Sequence, residues 1–295
     1  PEGLKAMLGP VLADAGLSLA NPLATSIDRF REAVRLEPNE YWHSFMLANA
    51  LSAAGDHRAA GLVLEHCVAL RPAYPRGLEA RGLNLVLQGL SERRQELVAL
   101  GTADYDRALQ LAPHDPWTHW SRAHLMRLLG KPADELSEYA LALAADPDAL
   151  WRALPAVDVA GGLSSVAEIE SAREAAAARV VANPGDAVAW TVQAAAALAL
   201  GEEGAARSSS ERALALRDAP PLARIVHGIV LLRAGDAAAA LPELEAGEPL
   251  AIAARALALE KAGRVAEGRA LLEALAANAR TDAQRAWARA RLATK

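Results

Sequence analysis

Prolines return along this chain at an interval that leaves few folds open. Pro38, Pro72, Pro113, Pro147 and Pro184 close the apolar segments AVRLEPN, CVALRPA, ALQLAPH, ALAADPD and VVANPGD, at separations of 34, 41, 34 and 37 residues. Between them lie Gly55, Gly89, Gly201 and Gly235, the first two and the last two each 34 residues apart. Proline halts a helix because it has no N–H to donate and its ring clashes with the preceding turn. A glycine just past an amphipathic segment ends a helix by taking a left-handed conformation. The repeating unit is therefore predicted as helix, glycine turn, helix, proline turn. A chain of 295 residues has room for one elongated array of such units.

Composition agrees. Hydrophobic residues make up 53% of the chain, mostly alanine and leucine, and aromatics only 4%. Alanine and leucine are strong helix formers that let helices approach closely, and β-branched runs are scarce, so a sheet is not expected. The net charge of −5 comes without any basic stripe, which argues against nucleic-acid binding. Cys67 is the single cysteine, cannot form an internal disulfide and fits a reducing, cytoplasmic setting. No stretch has the apolar length of a membrane span. GLKAMLGPVLADAGLSLA is interrupted by Pro10 and Asp14 and lacks a basic leader, so it does not read as a signal peptide. The chain starts at Pro1 rather than Met and is expected to be part of a longer protein, and its arginine and alanine usage points to a bacterial source.

The spaced residues inside each unit carry a resemblance. Residues 41–74 give Leu47, Ala48, Leu51, Gly55-Asp56, Ala60, Leu64, Cys67 and Pro72, and residues 116–149 give Ala123, Met126, Gly130, Tyr139, Ala142 and Pro147. Residues 187–220 give Trp190, Ala194, Gly201, Ala206 and Ala213, with Asp218 where proline is expected. Residues 221–248 give Gly228, Leu231, Gly235 and Ala240, and residues 249–280 give Ala256, Leu259, Gly263 and Leu272. This pattern resembles the tetratricopeptide repeat over nearly the whole chain. The resemblance implies an all-α superhelix of about eight helical hairpins in a single repeat domain, with units near 1–40, 41–74, 75–115, 116–149, 150–186, 187–220, 221–248 and 249–280. A capping helix over 281–295 closes it, opened by Thr281 and Gln284 as a capping box.

Four departures carry their own expectations. Seven extra residues after Gly89 predict a longer second helix beginning near Ser91, with its apolar face kept in register by two added turns. Pro155 and Ala160–Gly162 should disturb the first helix of the fifth unit, with Ser165 and Glu168 restarting the second. Pro242 predicts a truncated helix in the seventh. The stretch from Phe30 to Pro113 also looks like the C-terminal repeat regions of some bacterial serine/threonine kinases, although no kinase signature is present.

In the family's geometry the second, fifth and ninth positions of each first helix look into a concave groove. Here they are Trp42, Phe45 and Asn49, then Arg76, Glu79 and Leu83, then Trp117, Trp120 and His124 with Arg127 one turn on, then Trp151, Leu154 and Asp158. Later units place Val188, Thr191, Ala195, Leu222, Ile225 and Ile229 there, so the aromatic half ends near residue 160. Aromatics in a groove act as binding anchors, and the same rings also bury well as plugs between helices. Both readings stand for Trp42, Trp117, Trp120 and Trp151, whereas Trp190 falls on a core position. The Lys/Asn/Arg clamp by which chaperone-binding repeats hold a C-terminal carboxylate is not assembled: Asn49 and Arg76 match, but Phe45, Ala80 and Ser121 stand at other clamp positions.

No catalytic constellation emerges. His119 and His124 are five apart and do not share a helical face, and His66 and Cys67 are adjacent and diverge. Asp104 and Asp106 read as a solvated face, Ser208–Ser210 as exposed helix with Ser210 at an aromatic's usual place, and neither GEEG nor AGG fits a phosphate loop. The sequence thus points to a non-catalytic scaffold without metal or cofactor, binding a protein or peptide segment. The alternatives are the recruiting arm of a signalling kinase and a self-associating scaffold.

Overall fold

The computed structural model describes residues 23–145, 150, 154, 166–245, 247–279 and 282–293. Among them are fifteen helices and no strand. They fall into two compact units, residues 1–113 and 114–295.

The first unit contains α1 (Leu23–Leu36), α2 (Tyr41–Ala53), α3 (His57–Leu70), α4 (Pro75–Glu92) and α5 (Gln95–Leu111). The second contains α6 (Pro116–Leu128), α7 (Pro132–Ala145), α8 (Val166–Ala182), α9 (Ala187–Ala199), α10 (Glu203–Leu214), α11 (Pro221–Arg233), α12 (Ala237–Glu243), α13 (Pro249–Lys261), α14 (Val265–Asn278) and α15 (Asp282–Ala293). Six antiparallel hairpins result: α2/α3, α4/α5, α6/α7, α9/α10, α11/α12 and α13/α14.

Turn chemistry repeats with the hairpins. Gly55, Gly130, Gly201, Gly235 and Gly263 all take positive φ immediately after a first helix of 13 residues. Each such helix closes in a Schellman arrangement, as where the Asp56 N–H donates to the Leu51 carbonyl at 3.0 Å and that of Gly55 to Ser52 at 3.0 Å. Aspartates then start the next helices: Asp56 accepts from the Ala59 N–H, Asp115 from Thr118, Asp186 from Ala189 and Asp236 from Ala239.

The long unit differs from its expectation. Its extra residues lengthen both helices, α4 to 18 residues and α5 to 17, and the turn lies at Arg93 rather than at Gly89. Arg93 takes the left-handed conformation at φ 56°, and the Arg94 N–H donates to the Gly89 carbonyl, which is the same Schellman closure moved four residues on. Gly89 lies within α4, where it admits α5: a Cβ there would sit 2.8 Å from both the Arg94 carbonyl and Val98 Cγ2. Pro242 does lie inside a truncated helix, α12, of seven residues. Pro155, Ala160–Gly162, Ser165 and Thr281 lie outside the described residues, but α15 begins at Asp282, as the capping box predicts.

Small residues set the packing. One apolar core in the second unit runs from Trp120 and Tyr139 through Ala194–Ala197, Ile225, Ile229 and Ala251–Ala256 to Leu272 and Trp287. It takes in Thr191's neighbours as well as Ala195, Leu222, Ile225 and Ile229, so these positions, expected to look into a groove, are buried instead. The first unit has a smaller cluster of Ile27, Leu47, Ala50, Leu51 and Ala60.

Candidate functional site

The only one of the expected tryptophan anchors with a large exposed ring, among the described residues, is Trp42, at 45%. It stands in the first turn of α2, whose N-cap, Glu40, accepts from the Trp42 N–H at 3.2 Å. Three rings fix it. Tyr41 meets it edge-on at 5.3 Å between centroids, Phe45 one turn on at 5.6 Å, and Tyr74 from the start of α4 at 6.1 Å. Tyr41 is itself 1% exposed and stacks on Phe45 at 5.6 Å, so the set is a ridge with a buried foot and an exposed crest. Burial raises the Tyr41 phenol well above its ordinary range and keeps it neutral.

The sequence reading missed Tyr41, Tyr74 and Arg71 as members of this face. Tyr41 directly precedes Trp42, and LRPAYP places Arg71 and Tyr74 around the proline turn. Arg71 caps α3 and lays its guanidinium over two rings, 4.9 Å from the Tyr41 centroid and 6.0 Å from that of Tyr74. Arg76 and Glu79 lie on the first turns of α4, and the arginine donates to both carboxylate oxygens at 2.9 Å. Glu79 is buried, so that pair binds inward and does not present a carboxylate to a partner. Asn49 is half-buried, two turns along α2 from Trp42.

Residues expected on the groove in the second unit mostly face inward. Trp120 is 1% exposed and packs on Tyr139 at 5.4 Å in the same core as Leu150 and Leu154. It is a plug, not an anchor. Arg127 is held by its own fold: Nε donates to Glu135 at 2.7 Å, one terminal nitrogen to the Tyr139 hydroxyl at 2.8 Å and the other to Ser171 Oγ at 3.1 Å, tying α6 to α7 and α8. His124 lies half-buried against Tyr139, and burial, helped by the Arg127 charge, lowers its pKa to about 4. Trp117 is half-buried in the first turn of α6. Trp151 lies outside the described residues.

Other polar groups are committed as well. Asp104, expected on a solvated face, is buried and takes a bidentate pair of 2.7 Å bonds from Arg81, while His119 meets Glu138 at 2.8 Å. Ser210, expected on exposed surface, is buried, and its hydroxyl lies 3.1 Å from His227 Nδ1; Ser209 is buried with it. Cys67 is buried and its thiol is raised to about 11 by burial, so it carries no thiolate near neutral pH. Among the described residues no group of three or more His, Cys, Asp or Glu could hold a metal ion, and no helix is long and apolar enough to cross a membrane.

No family model and no curated protein matches the chain. Solved structures similar to it include tetratricopeptide-repeat proteins. Yeast Tom70 is 14% identical, with a TM-score of 0.40, and the match covers 92% of this chain and 58% of Tom70. A tetratricopeptide repeat protein from Parabacteroides merdae is 13% identical, with a TM-score of 0.33, over 88% of this chain and 98% of that one. YrrB, described as a TPR protein with an unusual peptide-binding site, is 14% identical, with a TM-score of 0.32, over 79% of this chain and 97% of its own.

Proposed function

We propose that this chain is a non-catalytic protein-interaction scaffold that takes a peptide or protein segment onto the aromatic ridge of its first unit. The observation that carries this reading is Trp42, a large ring left 45% exposed yet held by three neighbouring rings. An anchor of this kind offers contact area at little conformational cost, because it is already fixed before a partner arrives. The chain's acid–base side chains support the non-catalytic part, since Arg76–Glu79 is consumed within α4 and His119–Glu138, Arg81–Asp104 and Arg127–Glu135 are consumed in pairs that join helices. Phe45 and Asn49 extend the same face along α2, and Trp117 with His124 would form a second, smaller face on α6.

The test is a pull-down from source-cell lysate using the wild-type chain and a Trp42→Ala bait of matched circular dichroism. A protein retained by the first and lost from the second is the expected result. Identical captures by both baits would make Trp42 a passive surface ring and end this reading.

A further inference from the structure

Arg71 stands apart from the arginines around it. Arg58 pairs with Glu92, Arg76 with Glu79 and Arg81 with Asp104. The Arg71 side chain is exposed and, among the described residues, makes no ion pair and no side-chain hydrogen bond; its contacts are the Tyr41 and Tyr74 rings. A guanidinium laid on an aromatic face keeps its N–H donors around its rim, where a planar carboxylate can meet them two at a time. Acidic groups beside the ridge are engaged elsewhere: Glu79 is buried against Arg76, Glu40 caps α2 at the Trp42 N–H, and Glu37 meets His43. The ridge thus has a cationic end that no ion pair among the described residues takes up.

From this juxtaposition we infer that the ridge binds an acidic peptide segment, with a large apolar side chain seated on Trp42 and Phe45 and an Asp or Glu carboxylate on Arg71. The inference rests on the scaffold reading and specifies its ligand. Spacing follows from the geometry. The Trp42 ring lies 5.3 Å and the Arg71 guanidinium carbon 4.9 Å from the same Tyr41 ring, so anchor and cation are at most roughly 10 Å apart, the reach of about three extended residues. The acid therefore sits two or three residues from the apolar anchor. This pairing uses the proline turn between α3 and α4, not the first-helix positions of a carboxylate clamp.

A random-peptide phage library panned on the full chain tests it, with parallel panning on Trp42→Ala, Arg71→Gln and Arg71→Lys. Glutamine keeps a planar group over the rings but removes the charge, and lysine keeps the charge. The expected outcome is enrichment of an acid two or three residues from a large apolar residue. Synthetic peptides of that pattern should lose binding on Trp42→Ala, weaken about fivefold on Arg71→Gln, weaken less on Arg71→Lys, which keeps the charge but not the fork, and weaken with added salt. Peptides that need Trp42 but show no acidic bias, and bind Arg71→Gln equally, would overturn this inference and leave the scaffold reading standing. Absence of any peptide that depends on Trp42 would overturn both. Peptides bound only when phosphoserine replaces the acid would overturn it in favour of phosphate recognition.

Discussion

Two tryptophans at the start of first helices meet opposite fates, and three residues of helical phase separate them. Trp42 follows a tyrosine that takes the inward position, so its own ring turns out, while Trp120 stands one turn further along its helix and points into the core. The stability of the two sites should differ accordingly. Trp120→Ala is expected to cost about 3–5 kcal/mol, as large-to-small changes in a closed core do, whereas Trp42→Ala should cost about 0.5–1.5 kcal/mol, the worth of its ring contacts; urea melts of the two variants decide. His124 gives a second test at this scale. Its imidazole titrates near 6.5 when unfolded and near 4 in the fold, lowered by burial and then by Arg127. Between those values the unfolded chain binds the extra proton, so stability is present above pH 6.5 and lost as pH falls toward 4. The fall in melting temperature from pH 7 to pH 4.5 should be smaller for His124→Gln than for wild type, and the His124 ring resonances should titrate near pH 4.

At the scale of elements, the hairpins were legible wherever a glycine had one job. Gly55, Gly201 and Gly235 are left-handed turn residues with open space where a Cβ would be, and they mark the turns that the spacing predicts. Gly89 has the same spacing and a different job: it is a contact residue inside α4, and nothing in a single sequence separates the two uses. The turn it was expected to make falls to Arg93, a residue with a Cβ in a conformation that disfavours one. Arg93→Gly is therefore expected to stabilise the first unit by about 1 kcal/mol, raising its melting temperature with the α4/α5 contacts unchanged. The reverse holds at the crossing of the two long helices. A Cβ on Gly82 would lie 2.6 Å from the Gly101 carbonyl and 2.8 Å from Tyr105 Cδ2, so Gly82→Ala should destabilise by about 1–3 kcal/mol. Calorimetry of these two variants beside wild type checks both signs; a stabilising Gly82→Ala would mean that α4 and α5 are further apart than described.

For the whole molecule, the sequence disclosed the hairpin plan because proline, glycine and alanine act locally, and a repeat adds their signals over many units. It disclosed less about which faces stay open, since burial depends on what each helix meets. Thr191, Ala195, Ile225 and Ile229 carry no mark of burial in their own segments, yet all are covered. An array of neighbour contacts has an energetic consequence that can be measured within the second unit. Helix α15 covers α14 with Trp287 and Ala288, and its Arg291 donates to Glu260 on α13 at 2.6 Å. Removing residues 282–295 would take away the helix packed on α14, while among the described residues α15 has no substantial packing against α9 or α10. If each repeat is held mainly by its neighbours, amide protection in this truncated chain should fall in α13 and α14 and stay at its wild-type level in α9 and α10, as local opening requires. Hydrogen exchange followed by mass spectrometry reads both segments in one experiment. Protection lost evenly from α6 to α14 would instead mean that the long alanine-rich core unfolds as one block, with Trp287 acting on residues several helices away.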